Sequence, residues 1–221
     1  MSRYIFRSIK MIRMRISFKL ATFYSRLKFS LFQVQFGSGF TSRGIPLLDL
    51  SLKAKFVVGD NLRLNNDNYY NQIGRQQKCC FAVGNHAILR LGNQVGISCS
   101  TIVCKNRIEI GDHVHIGGNC EIYDSDFHDL DYRKRIQVPE DYTTVKSSPI
   151  VIQRNAFIGA HSTILKGVTI GEGAIIGACS VVTKDIPPYE IWAGNPVKFI
   201  GNAPGLAQPI VYVSVATANH F

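Results

Sequence analysis

The stretch PIVIQRNAFIGAHSTILKGVTIGEGAIIGACSVVTKDIPPYEIWAGNPVKFI, residues 149–200, is built on a six-residue period. An aliphatic residue returns at every sixth position from Ile152 to Val182, and a small or β-branched residue follows four positions after each of the first five. A period of six fits neither the 3.6-residue turn of a helix nor the simple alternation of a strand. It is typical of a coil of short strands in which one aliphatic and one small side chain per repeat point inward.

The same step occurs upstream, where the sequence predicts inward positions at Leu91, Ile97 and Val103 and, after one extra residue, at Ile110, Ile116 and Ile122. Two segments interrupt it. Residues 65–81 are polar and aromatic, which indicates an excursion or a distorted coil. Residues 123–149 carry no repeat and predict a loop that protrudes from the coil. We therefore expect an all-β domain over residues 46–201, because stacked coils stabilise one another.

The stretch 149–200 resembles the hexapeptide-repeat acyltransferases of the maltose and galactoside O-acetyltransferase type. It is closest in character to the sugar O-acetyltransferases of capsule and exopolysaccharide pathways. The resemblance extends over about residues 58–201. It implies a left-handed parallel β-helix, a homotrimer and acetyl-coenzyme A held in the cleft between neighbouring coils.

The protruding loop, YDSDFHDLDYRKRIQVPEDYTTVKSSP, contains His128 among aspartates. An alcohol is a poor nucleophile until its proton is removed, and an imidazole is suited to accept that proton near neutral pH. A carboxylate on the other ring nitrogen, from Asp126 or Asp124, would orient the imidazole. Taken alone, His128 also fits a solvated loop histidine. The resemblance implies catalysis, because the family's catalytic histidine occupies the start of such a loop, although its His-Pro dipeptide is replaced here by His128-Asp129.

Coenzyme A carries phosphates, so basic side chains should line its path. The resemblance implies cofactor contacts from Thr183 and Lys184, and from Lys198 where a related enzyme has an arginine. It also implies that the backbone amides of Ala160 and Ala178 bind the pantetheine arm, which needs the close approach that the neighbouring Gly159 and Gly177 allow. Trp192 either covers the cofactor or caps the coil. No histidine, cysteine or aspartate spacing indicates a metal site, and none is expected.

Several loop side chains are candidates for acceptor binding through stacking or hydrogen bonds, although loop aromatics serve equally often in packing: Tyr123, Phe127, Tyr132, Arg133 and Tyr142. The expected function is acetyl-CoA-dependent O-acetylation of a sugar hydroxyl in a surface polysaccharide or its precursor. Two alternatives remain open. The acceptor is instead a serine, a nucleotide-sugar amine or a xenobiotic, or the protein is a non-catalytic β-helical scaffold.

The N-terminal arm, residues 1–45, carries most of the net charge of +10, because residues 1–48 contain nine basic residues and no acid. Apolar residues recur there at alternating spacings of four and three over about 28 residues, which predicts an amphipathic helix with this stripe: Ile5, Ile9, Ile12, Ile16, Leu20, Phe23 and Leu27. The helix either packs on the main domain or lies on an anionic membrane. Both interpretations remain open at this point.

The remaining composition narrows the class of protein. Six cysteines without a CxxC pair suggest buried, reduced thiols and a cytoplasmic protein, with peripheral association at the inner face of the membrane if the arm binds lipid. No apolar run approaches the ~18–20 residues of a membrane-spanning helix. Nucleic-acid binding is not expected, since the basic excess is confined to the arm. Residues 202–221 form a tail outside the repeats, in which IVYVSV could add a strand.

Overall fold

The chain winds into stacked triangular coils, each made of three short strands joined by sharp corners. This computed structural model describes residues 2–66, 71, 73, 77–139 and 141–204. The helices and strands are, in chain order, α1 (Ser2–Leu31), β1 (Gln35–Phe36), β2 (Thr41–Arg43), β3 (Leu47–Leu50), β4 (Lys55–Val58), β5 (Arg63–Asn65), β6 (Cys80–Val83), β7 (Ile88–Leu91), β8 (Gly96–Ser98), β9 (Thr101–Cys104), β10 (Arg107–Ile110), β11 (His115–Ile116), β12 (Glu121–Tyr123), α2 (Tyr132–Arg135), β13 (Ile150–Ile152), β14 (Phe157–Ile158), β15 (Thr163–Ile164), β16 (Thr169–Ile170), β17 (Ile175–Ile176), β18 (Val181–Val182), β19 (Glu190–Ala193) and β20 (Lys198–Asn202).

Three parallel sheets form the sides of the coil. Face A runs β1-β4-β7-β10-β13-β16, face B runs β2-β5-β8-β11-β14-β17-β19, and face C runs β3-β6-β9-β12-β15-β18. From β1 to β18, each strand pairs with the strand three positions along the chain, so one coil follows the next, and β19 pairs with β17 at the end of face B. The antiparallel strand β20 closes face B. The fold is a left-handed parallel β-helix, which confirms the predicted fold class.

Three columns of buried side chains, one from each face, run through the core. Within a column, each residue pairs in register with its counterpart on the neighbouring strand of the next coil. The columns are Val58, Leu91, Ile110, Ile152 and Ile170; Leu64, Ile97, Ile116, Ile158 and Ile176; and Phe81, Ile102, Ile122, Ile164 and Val182. Ile102 rather than Val103 therefore faces the interior. The six-residue step places Val103 one position out of register, because Ile102 pairs with Ile122 across face C.

Helix α1 crosses the open end of the first coil. Phe29 is fully buried there, with its ring 4.8 Å from that of Phe40. Thr22 Oγ1 accepts a hydrogen bond from the Ser42 amide, and Arg26 Nε donates to the Phe40 carbonyl. The predicted stripe, in contrast, remains 45–62% exposed. The helix therefore packs on the main domain, one of the two interpretations left open, through the side opposite the stripe. Four residues of the stripe line a groove of about 930 Å³ together with Gly44 and Ile45.

The boundaries of the coil differ from those expected. The first coil begins at Gln35, inside the segment 1–45 assigned to the arm. The excursion predicted over residues 65–81 falls between β5 and β6, and of the residues between these strands the structure describes 66, 71, 73 and 77–79. The loop predicted over residues 123–149 lies between β12 and β13, although Tyr123 still belongs to β12. Residues 205–221, including the IVYVSV run, lie outside the described residues.

The structure also bears on two properties considered in the sequence, the length and apolar character of the helices and the burial of the cysteines. Among the described helices, none is long and apolar enough to cross a membrane. All six cysteines are free; four are buried, Cys80 is half-buried and Cys179 is exposed. The expectation of buried thiols therefore holds for four of the six.

Candidate active site

A short paired neck holds the loop that carries His128. Ser125 and Ser147 form an antiparallel bridge across it. The Asp126 amide donates to the Lys146 carbonyl at 3.1 Å, and the Ser148 amide donates to the Asp124 carbonyl at 2.9 Å. Because these bonds pin both ends of the loop, the residues that follow the neck have a defined position at the corner between faces C and A.

Asp124 anchors this neck to the coil. Its carboxylate is fully buried and accepts hydrogen bonds from three consecutive backbone amides, those of Lys105 at 2.6 Å, Asn106 at 2.8 Å and Arg107 at 2.8 Å. Charge-assisted bonds of this kind are strong and position their neighbours. These contacts do not support the role predicted for Asp124 as an orienting partner of His128. They make it a structural residue that fixes the loop.

Asp126, two residues further along the loop, uses only one of its carboxylate oxygens. Its Oδ1 pairs with Lys166 Nζ at 2.5 Å, whereas its Oδ2 is buried and has no hydrogen-bond partner among the described residues. A buried acceptor without a donor is costly unless something else uses it. Phe127 follows in the left-handed region, at φ 65°, which is strained for a bulky residue. This backbone bend turns the chain directly before His128.

His128 is exposed and lines a cavity of about 640 Å³ at this corner. The loop contributes Ser125, Phe127, Tyr142 and Ser147, and the coil contributes Ser51, Gly84, Asn85 and Lys105. The ring centroids of His128 and Tyr142 are 6.2 Å apart, and Tyr123 meets Phe127 edge-on at 5.2 Å. The structure therefore brings His128, Phe127 and Tyr142 together, with Tyr123 against Phe127.

The other two acceptor candidates lie away from this cavity. Tyr132 and Arg133 are exposed on α2, where Arg133 forms a fork with the Asp131 carboxylate and is absent from the described cavity lining. Asp129, beside His128, is nearly buried. The Thr144 hydroxyl, and then the Asp131 amide, hold the pKa of Asp129 at about 2, so this carboxylate is ionised at neutral pH.

The residues predicted to bind the acyl donor lie at the corner between faces B and C. A Cβ on Gly159 would lie 2.5 Å from the Ala178 nitrogen, so only glycine allows these two coils to stack so closely. The neighbouring amides of Gly159, His161, Gly177 and Cys179 all donate within the coil. Within the described part of the chain, the amides of Ala160 and Ala178 donate to no group. Two stacked, unused donors with small side chains fit an extended amide-bearing ligand.

Basic side chains continue from this corner toward the last coil. Lys184 Nζ lies 4.9 Å from the centre of the Trp192 ring, a cation–π distance, and the Trp192 indole donates to Glu190 at 2.7 Å. Thr183 and Lys198 are exposed nearby in sequence. Trp192 also packs partly against the core cluster. The structure therefore shows Trp192 as a partial cap, and its contact with a cofactor stays a prediction.

Several polar residues at or beside this site escaped the sequence analysis, among them Asn85, Lys105 and Lys166. Asn85 and Lys105 belong to earlier coils, and only stacking brings them beside His128. Lys166 lies 40 positions from Asp126, with which it forms an ion pair. Aligning the repeats coil by coil would have placed Asn85 and Lys105 at this corner. Nothing in the repeat pattern singles out Lys166.

Comparisons with known proteins identify the family of this chain. The family model described as bacterial transferase hexapeptide (six repeats) matches residues 149–184. The dTDP-4-amino-4,6-dideoxy-D-glucose acyltransferase of Escherichia coli is 31% identical over 162 residues, which cover 72% of this chain and 81% of that protein.

Two solved structures illustrate the likeness. A galactoside acetyltransferase in complex with coenzyme A matches with a TM-score of 0.50 and 30% identity, over 64% of this chain and 66% of that chain. The N-acyltransferase AntD from Bacillus cereus, in complex with dTDP and 3-hydroxybutyryl-CoA, has a TM-score of 0.64 at 19% identity over 85% and 90% of the two chains, which shows the shared fold. The relative from E. coli, the matching repeats and the coil together establish that this chain belongs to the hexapeptide-repeat acyltransferases.

Proposed function

We propose that the protein is an O-acetyltransferase that transfers acetyl from acetyl-CoA to a sugar hydroxyl of a surface polysaccharide or its precursor. The observation that carries this proposal is His128, exposed at the wall of a cavity on a loop whose neck is fixed by Asp124. A second observation, the unused amide donors of Ala160 and Ala178, supports a coenzyme A thioester as the donor, as does the galactoside acetyltransferase solved with coenzyme A.

In the proposed reaction, His128 accepts the proton of the acceptor hydroxyl as its oxygen bonds to the acetyl carbonyl carbon. The new C–O bond replaces the thioester C–S bond, and the proton on His128 can pass to the departing thiolate. Asp126 Oδ2, buried and unused, is available to orient the imidazole. Holding hydroxyl and thioester together supplies up to ~7–11 kcal/mol in well-aligned systems.

The proposed site needs two copies of the chain. Glu121 of β12 is level with Thr163 of β15, so Ala160 lies at one edge of face C and His128 follows the other edge. Across face C, the level of Ala160 and the end of β12 at Tyr123 are five residues of extended chain apart, roughly 17 Å, so Ala160 and His128 of one chain lie at different corners of its coil. A homotrimer that places His128 of one copy against the corner of the next resolves this separation.

The acceptor has a second candidate. The relative from E. coli is named for an amino sugar linked to dTDP, so an amine of a nucleotide-linked sugar is the alternative to a hydroxyl. An amine is nucleophilic once it is neutral, so the base at His128 would matter less for such an acceptor.

An acceptor screen tests the proposed function. The protein is incubated with acetyl-CoA and a panel of sugars, nucleotide-linked amino sugars, serine and a xenobiotic amine or alcohol, while release of the coenzyme A thiol is recorded. We expect release to depend on a sugar hydroxyl. Release with the nucleotide-linked amino sugar alone would replace the proposal with the second candidate. No release with any acceptor would favour a non-catalytic scaffold.

Helix α1 supports peripheral association with an anionic membrane. Its exposed stripe lies opposite the residues that contact the coil. In a helix of 3.6 residues per turn, Lys19 and Arg26 flank the stripe on one side and Arg13 flanks it on the other. The segment has no acid to repel anionic lipid. Basic amphipathic helices of this form lie in the plane of the membrane surface.

A further inference from the structure

Face B carries a second cavity, of about 450 Å³, that the proposed chemistry does not use. It runs along the coil axis from α1 and β2 to β14. Its polar side chains are those of Thr41, Arg43, Arg63, Asn65, Ser98 and His115, with Phe18 and Phe157 at its two ends. Among the described lining residues there is no carboxylate. The cavity is therefore a basic one with aromatic ends.

Arg63 and His115 meet across the middle of this cavity. Arg63, Gly96 and His115 occupy the same level on three successive strands, and Arg63 Nη2 lies 3.1 Å from His115 Nε2. Because a guanidinium only donates, Nε2 is the acceptor and the ring proton is on Nδ1. A Cβ on Gly96 would lie 2.8 Å from His115 Cδ2, so glycine opens the gap in which the two side chains meet.

Arg63 carries a positive charge at the middle of this cavity. Arg63 is exposed and, among the described residues, has no carboxylate within 4 Å. Arg43, one coil earlier on the same face, lies 6.0 Å from the Phe18 ring centre. Burial, and then Arg63, lower the pKa of His115, so this ring is neutral near pH 7 and leaves the guanidinium groups as the cationic groups. Guanidinium forks match phosphate oxygens.

The cavity ends where the proposed donor corner begins. Gly117 lines the cavity, and a Cβ on Gly117 would lie 2.6 Å from the Ala160 nitrogen. Lys184 and Lys198 lie on the opposite side of Ala160, toward the last coil. A donor bound along those lysines and a ligand in the face B cavity would therefore approach the same corner from opposite ends of the coil.

We propose that the face B cavity binds a phosphate or diphosphate group of the acceptor through Arg63 and Arg43, with the sugar directed toward the corner at Gly117 and Ala160. This inference rests on the proposed acyl transfer, and it narrows the acceptor to a phosphorylated one. A sugar linked to a nucleotide and a sugar linked to a lipid both supply a diphosphate. The aromatic side chains of Phe18 and Phe157 offer a surface for a base or for the first units of a lipid.

Calorimetry with inorganic pyrophosphate tests the site without any turnover. We expect Arg63→Gln and Arg43→Gln each to weaken pyrophosphate binding at least tenfold, with acetyl-CoA affinity unchanged. Arg90→Gln is the matched control, because Arg90 is also exposed, on face A beside Glu109. Pyrophosphate binding that is absent from the wild type, or equal in all four proteins, would overturn the inference.

Two further ligands distinguish a nucleotide-linked diphosphate from a lipid-linked one. A dTDP-hexose and farnesyl diphosphate are titrated into wild type and Arg63→Gln. Tighter binding of one of them than of pyrophosphate, lost at least tenfold in Arg63→Gln, supports the site and identifies its source, whereas Arg63-independent binding of both contradicts it. Acetyl-CoA binding is measured alongside. Binding of acetyl-CoA without binding of diphosphates would contradict this inference and leave the proposed function standing. Binding of diphosphates without binding of acetyl-CoA would contradict the proposed function and leave the diphosphate site standing.

Discussion

At the residue scale, the sequence identifies which side chains are candidates for the chemistry, and the structure shows what each of them contacts. His128 stands out because only one histidine lies in a charged loop that breaks the repeat. Asp124 and Asp126 look equivalent in the sequence, two residues apart beside that histidine. They differ in the fold, since Asp124 binds three amides of a neighbouring coil and Asp126 keeps one buried oxygen unused. That distinction depends on which backbone stacks against the loop, which no local motif records.

The two aspartates should therefore respond differently to substitution. Asp124→Ala removes the acceptor of three amide hydrogen bonds, and bonds to a charged group contribute about 1.5–3 kcal/mol each. We expect the free energy of unfolding, measured by urea denaturation, to fall by about 3 kcal/mol or more. Asp126→Asn should leave stability within about 1 kcal/mol and lower kcat instead. An Asp124→Ala protein with wild-type stability would show that Asp124 does not anchor the loop.

Lys184 provides a second test at this scale. Lys184→Ala removes a charge from the proposed phosphate path and the cation–π contact with Trp192. We expect the acetyl-CoA KM to rise about tenfold with kcat nearly unchanged, because a uniform binding contact is lost. Lys55→Ala, which changes an exposed lysine on face A, is the control and should alter neither constant. An unchanged KM in Lys184→Ala would place the cofactor elsewhere.

At the scale of elements, periodicity predicted the helix and the coil but not how they meet. The stripe in α1 is the strongest apolar pattern of that helix, yet the coil contacts the opposite side through Thr22, Ser25 and Phe29. Two of these three residues are small and polar, so a hydrophobic pattern could not identify them. Their hydrogen bonds go to the open end of the first coil, whose unpaired backbone groups need partners.

The exposed stripe makes a prediction for membranes. The triple variant Ile9→Ser, Ile12→Ser, Ile16→Ser should lose co-sedimentation with vesicles containing phosphatidylglycerol, because burial of these side chains in lipid is lost. Wild-type binding should weaken at high salt and on pure phosphatidylcholine. Met11→Ser, which removes an exposed apolar residue outside the stripe, is the control. A triple variant that keeps vesicle binding, or one that loses its assembly, would show that the stripe serves another purpose.

At the scale of the whole molecule, the repeat predicted the fold because each coil repeats one burial pattern over 18 residues, from Ile152 to Ile170. The repeat does not predict how the chains assemble. Subunit contacts leave no period in the sequence, and the argument for a trimer comes from the width of face C. Three copies of the 24.6 kDa chain give about 74 kDa.

Mixed assemblies test whether the site is shared. His128→Ala lacks the proposed base, and Ala178→Tyr blocks the donor corner; each alone should be inactive. When the two are unfolded and refolded together in equal amounts, about a quarter of the interfaces of a cyclic trimer should combine both intact halves and regain activity. No recovery from the mixture, with assembly confirmed by light scattering, would place the whole site within one chain.

The most direct test of the account is the turnover of His128→Ala at saturating acetyl-CoA and acceptor, measured as release of the coenzyme A thiol. Loss of a general base lowers rates by ~10²–10⁴-fold, so we expect kcat to fall by that factor. The acetyl-CoA dissociation constant should stay within about twofold of wild type, because His128 acts on the acceptor hydroxyl. A His128→Ala enzyme with wild-type kcat would contradict the central claim.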